Sequence, residues 1–127
     1  MFNKINGHLK INKEVTLYQG YTFSDFKRTN LYNGQDGIRI INLGEQKVGG
    51  DNYIVNLFFR ENLLYMVSLI NCDIEVSELD EKIRKQIHDA TLRKCEIEEG
   101  YQYSWGRIYS EYDKRSNVSS INIFYKN

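Results

Sequence analysis

The stretch from Tyr53 to Ile70, YIVNLFFRENLLYMVSLI, is the densest apolar run of the chain and reads as one buried hairpin. Glu61 and Asn62 form its turn, Asn62 being a residue type that tolerates the positive φ of tight hairpin loops. Counting back from that turn pairs Phe59 with Leu64, Leu57 with Met66, Val55 with Ser68 and Tyr53 with Ile70. One face is then apolar apart from Ser68. The other sets Ile54, Asn56, Phe58 and Arg60 against Leu63, Tyr65, Val67 and Leu69, too apolar for water yet not purely core. Such a hairpin belongs in the middle of a sheet, with one face packed and the other at least partly covered.

Around it the chain supplies further strands and one long helix. His8 to Ile11 and Val15 to Tyr18 are short strands flanking Asn12-Lys13-Glu14 and predict an edge hairpin. Thr22 or Ser24 can cap a single helical turn near 24–29 that packs Phe23 and Phe26 inward. Ile38 to Leu43 is a β-rich run, and Gly44 to Asp51 reads as the loop into the central hairpin. After Ile70 the apolar period lengthens: Leu79, Ile83, Ile87 and Ala90 make one stripe, which predicts a main helix over about 77–94 with Ser77 as its cap. Acids in its first turn and Arg93 and Lys94 in its last suit the helix dipole. Tyr101 to Tyr112 and Val118 to Tyr125 close the chain as a hairpin around residues 113–117. A five-residue loop there sets Tyr109 opposite Ile121, Arg107 opposite Ile123 and Trp105 opposite Tyr125, leaving Ser104, Gly106, Ser110, Ser120 and Asn122 on a polar face open to solvent or a partner. The expected fold is a single α+β domain over 1–127: a mainly antiparallel, twisted sheet of about five to seven strands, with the main helix on one face.

The 127 residues hold 17 basic and 17 acidic side chains, so no global field is available to hold a polyanion or an anionic membrane. Locally the balance differs, because residues 72–100 carry nine acids against five bases. Cys72 and Cys95 form no metal or redox spacing, and the beginning Met1-Phe2-Asn3-Lys4 leads into no apolar signal core. Together these predict a cytoplasmic protein with reduced thiols. Asn117-Val118-Ser119 matches a glycosylation sequon, which has no meaning outside a secretory route.

No reaction is written in the residues. His8 and His88 lie in no HExxH or GxSxG setting, and His88, one position off the apolar stripe, reads as a surface histidine. Asp73 with Glu75 and Glu96 with Glu98 are paired carboxylates in equally wet settings, which is not the contrast that acid-base chemistry needs. The glycines fit no nucleotide fingerprint, and no cluster has metal-ligand spacing. An enzyme, a cofactor and a metal are therefore not expected. A small hydrolase using His8 or His88 remains one alternative. A structural or chaperone-like module self-associating through the His8 to Ile11 edge is another.

Two stretches, Gly20 to Lys27 (GYTFSDFK) and Tyr103 to Tyr125 (YSWGRIYSEYDKRSNVSSINIFY), resemble small bacterial proteins that include immunity proteins of contact-dependent growth inhibition and related polymorphic toxin systems. That resemblance implies a cytoplasmic inhibitor that binds one toxin domain, often a nuclease, and covers its active site or substrate path. It brings no shared functional motif. A nuclease groove is basic, so the acidic segment is the expected contact surface: Glu75, Glu78, Asp80, Glu81, Glu96, Glu98 and Glu99, with Tyr101 and Tyr103 as aromatic anchors.

Overall fold

The Glu61–Asn62 turn forms as its residues dictate, both with positive φ (50° and 70°), and the strands it joins are the middle of the molecule. A computed structural model describes residues 2–73 and 80–127. In it β1 (Leu9–Ile11) and β2 (Val15–Leu17) make a two-stranded sheet, followed by the short helix α1 (Phe23–Phe26). The long strands β3 (Ile40–Val48), β4 (Asp51–Arg60) and β5 (Leu63–Asn71) come next, then helix α2 (Glu81–Lys94), β6 (Gly106–Asp113) and β7 (Val118–Tyr125). The main sheet is antiparallel throughout, in the order β3-β4-β5-β7-β6. The α+β class with one main helix thus holds, and the central hairpin is flanked by β3 on one side and β7 on the other.

Registers differ from expectation in both hairpins. In β4–β5 the pairs Arg60–Leu63 and Phe59–Leu64 are followed by Phe58–Met66, so Tyr65 is an inserted bulge residue. From there on Leu57 faces Val67, Val55 faces Leu69 and Tyr53 faces Asn71. A one-residue slip exchanges the two faces of a strand. Here the exchange buries Val67 and Leu69 and turns Met66, Ser68 and Ile70 to the other side. In β6–β7 the loop is four residues, 114–117, closed by Asn117 at φ 53°. Ile108 therefore faces Ile123 and Arg107 faces Phe124. The longer loop would have pointed the Arg107 guanidinium at the core, where an unpaired charge is costly. β3 also runs further than expected: a bulge between Asn42 and Glu45 carries it through to Val48, and the loop shrinks to the two-residue turn Gly49-Gly50.

One face of the sheet is covered. β1 and β2, expected as a sheet edge, form a separate layer whose Leu9, Ile11, Val15 and Leu17 all point into the core. α1 adds Phe26, held by a capping box in which the Thr22 hydroxyl accepts from Asp25 N–H and the Asp25 carboxylate accepts from Thr22 N–H. Trp105 is buried beneath the end of β6, its indole N–H donating to Lys4 O at 2.7 Å. Gly106 makes that turn possible: at φ 145° any Cβ would collide with the Phe124 carbonyl oxygen.

α2 covers β5, β6 and β7, but on a different face from the expected stripe. Ser77 and Leu79 lie outside the described residues. Ile83 is 48% exposed and Ala90 is exposed, whereas Glu81, His88 and Leu92 are buried. The reason is a set of polar anchors at the strand ends. Glu81 Oε1 accepts from Ser119 N–H (2.7 Å), Ser119 Oγ donates to Glu81 O (2.9 Å), and His88 Nε2 accepts from Asn71 N–H (3.0 Å). Arg84 donates to Asn71 O and pairs with Glu81. His88 is accordingly a core histidine, contrary to its placement at the surface.

Candidate functional site

The opposite face of the sheet has no element packed on it among the described residues. Its side chains line up across the strands in rows that the registers define. One row runs Ile40, Phe58, Met66, Phe124, Arg107; the next runs Asn42, Asn56, Ser68, Asn122, Tyr109. The first is apolar and ends in a guanidinium 5.6 Å from the Phe124 ring. The second is polar along its whole length, crossing all five strands. Period-two alternation along each strand, combined with the Tyr65 bulge, brings these residues onto one side.

Within the polar row Asn122 is held, its Nδ2 donating to Glu111 Oε1 (2.8 Å) and its Oδ1 accepting from Ser120 Oγ (3.1 Å). A shallow groove of about 600 Å3 runs over Asn56, Ser68 and Asn122, with Phe58 and Met66 on one side and Ile70, Ser120 and Glu111 on the other. Its floor is buried or half-buried, and Glu111 and Tyr112 at its rim are exposed. Such a surface offers apolar area and directional amides together. That combination of apolar area and directional polar groups is also the make-up of many protein interfaces.

The residues expected from sequence to make contacts are not gathered in one place. Glu75 and Glu78 lie outside the described residues. Asp80 is exposed at the start of α2, whereas Glu96 and Glu98 are exposed beyond its other end. A helix of 14 residues separates them, about 20 Å. Glu81 is 4% exposed and bonded to Ser119, which corrects its assignment to a contact surface. Glu99 has an internal task as well: its carboxylate accepts from Ser110 N–H (2.6 Å), and Gly100 N–H donates to Ile108 O (3.1 Å). Together they cap the outer edge of β6 and blunt it against strand addition. Tyr103 stacks on Trp105 (5.2 Å, 5°) and its hydroxyl accepts from Glu98 N–H, while Tyr101 packs edge-on to Tyr103 with half its surface exposed.

Sequence reading noticed half of the open face. It flagged Ile54, Asn56 and Phe58 as too apolar for water and Ser120 and Asn122 as outward. It placed Ser110 and Gly106 beside them, although both are buried, and it missed Met66, Ser68 and Tyr109. The odd serine in an otherwise apolar face was the available signal that the register slips before Ser68.

Among the described residues no group of three His, Cys, Asp or Glu could hold a metal ion, and no helix is long and apolar enough to cross a membrane. Cys72 and Cys95 are free thiols, and burial, first of several causes, raises the pKa of Cys72. The chain matches no protein-family model, no curated protein and no solved structure.

Proposed function

We propose that this chain is a cytoplasmic immunity protein that binds a cognate bacterial toxin domain, with a nuclease as the first candidate, and neutralises it by covering its active site or substrate path. The observation that carries the reading is the uncovered sheet face, where an apolar row and an amide row run side by side across five strands. Apolar area with directional polar groups and few charges at the centre is the make-up of a protein interface. Of the stretches that resemble immunity proteins, Thr22 and Asp25 cap α1, Trp105 and Tyr125 fasten the N-terminal segment through Lys4 O and Gly7 O, and Arg107, Tyr109, Asn122 and Phe124 lie on the open face itself.

We put the contact on the open face and not on the acidic segment, since Glu81 and Glu99 are occupied internally, and Asp80 stands at one end of α2 while Glu96 and Glu98 lie beyond the other. Self-association through a sheet edge has less support. The β6 edge is capped by Glu99 and Gly100, and β1 is flanked by β2 on one side and a bridge to Phe2 on the other.

Calorimetric titration with an inactivated version of the toxin-like domain encoded beside this gene tests the proposal. One-to-one binding with a dissociation constant of about a nanomolar or lower is expected. No heat, together with no co-migration on a sizing column, overturns it.

A further inference from the structure

Away from the sheet face, the N-terminal segment, the β1–β2 hairpin and the Gly49-Gly50 turn border a half-open cavity of about 820 Å3, within the roughly 300–1,000 Å3 range of small-molecule sites. Its wall carries Lys10 and Lys13 from the hairpin and Lys47 from β3, and no carboxylate lines it. In a chain with no net charge this is a concentration of one sign. None of the three lysines takes part in an ion pair among the described residues, while Lys4, Lys27 and Lys85 all do. Lysines bordering one groove from the hairpin and from β3 raise the local positive potential, and a compact multivalent anion bound there offsets it.

The wall is also held in place. Asn12, at the hairpin tip, donates its N–H to Lys47 O (2.8 Å) and accepts from Lys47 N–H through Oδ1 (2.7 Å), so the hairpin and β3 form one unit. Asn12 Nδ2 bonds Gln46 as well. The Phe2 ring, fixed edge-on to Trp105 at 5.1 Å, gives the same cavity an apolar wall, and Thr16 adds a hydroxyl. Lysine binds phosphate as a point charge, and an aromatic wall suits a planar group attached to it.

We infer that this cavity binds a small phosphorylated molecule with a planar apolar part, of the nucleoside diphosphate class, its phosphates held by Lys10, Lys13 and Lys47. An acidic peptide is the weaker fit, because its single charges are spread along an extended strand about 7 Å apart on one side, whereas the three lysines border one cavity. The inference is independent of the toxin-binding reading.

The test uses the full chain, titrated calorimetrically with ADP, inorganic pyrophosphate, adenosine and a hexaglutamate peptide. The expected result is one-to-one binding of ADP and pyrophosphate, no measurable binding of adenosine, and an ADP affinity that falls by about tenfold or more in a K10Q/K13Q/K47Q variant and again in high salt. All three positions are exposed, so the variant should keep its thermal midpoint, which is measured alongside. Absence of ADP and pyrophosphate binding overturns the inference, as does equal ADP affinity in the variant. Binding of hexaglutamate without pyrophosphate also overturns it and makes the cavity a peptide site.

Discussion

His88 sits with no exposed surface between α2 and the end of β5, where its Nε2 accepts the Asn71 N–H and its ring lies stacked 6.5 Å from Tyr53. Its Nδ1 has no hydrogen-bond partner. Burial pushes its pKa down to about 4, Arg84 and Lys85 acting in the same direction and Asp89 against them. The neutral ring is therefore the form that the fold accepts. Below about pH 6.5 the unfolded chain takes up a proton that the folded chain refuses until about pH 4, so stability present above pH 6.5 is lost as pH falls through this window. Each pH unit costs at most about 1.4 kcal/mol, and the whole window on the order of 3 kcal/mol. Urea denaturation at steps between pH 7.5 and 4 should show this decline, and His88→Gln, which keeps an acceptor and cannot titrate, should flatten it. An equal slope in the variant would assign the acid sensitivity to other groups.

Helix α2 shows at the level of an element how far the sequence can be read. Its existence and C-terminal end were legible from period and charge, but its orientation was not, because the expected stripe counts only apolar residues. The side that docks is chosen by Glu81, Arg84 and His88, which satisfy backbone groups of Ser119 and Asn71 at the strand ends. Those partners become neighbours only once β5 and β7 are paired, so no local pattern announces them. The same limit applies to Tyr65, whose bulge exchanges the faces of β5 and hides the polar row from any reading that assumes an unbroken register. The Glu61-Asn62 turn was legible outright and the cap of α1 was narrowed to Thr22 or Ser24, of which Thr22 caps, whereas the lengths of the Gly49-Gly50 and 114–117 turns were not legible. The helix orientation is testable by a reversal of the sequence expectation. Leu92→Ala should cost about 2–5 kcal/mol in chemical denaturation, and Ile83→Ala should stay within about 0.5 kcal/mol. If Ile83→Ala costs as much as Leu92→Ala, the helix docks on the expected stripe instead.

For the whole molecule the sheet has two unlike sides: the side under α2, α1 and the β1–β2 layer holds the core, and the other has no element packed on it among the described residues. Four inter-strand spacings make that side about 19 Å across, and three rows of side chains give an area of about 400 Å2. A standard interface takes about 800 Å2 from each partner. A toxin domain seated on the face would therefore have to extend past it, over exposed residues at the rim of the groove such as Glu111. Asn56 lies inside the polar row, half-buried, between Asn42 and Ser68. Replacing it with lysine puts a charge where the partner would have to desolvate it, yet in the free protein the long side chain can reach water. Asn56→Lys should thus leave the denaturation midpoint nearly unchanged and weaken toxin binding by about 2–4 kcal/mol, the range of a central interface residue. Reversing Asp80, Glu96 and Glu98 together should mainly slow association at low salt, since charges outside the contact steer encounter more than they hold the complex. The opposite pattern, full affinity in Asn56→Lys and lost affinity in the charge-reversed protein, would move the interface to the helix side and make the bare sheet face a property of the fold alone.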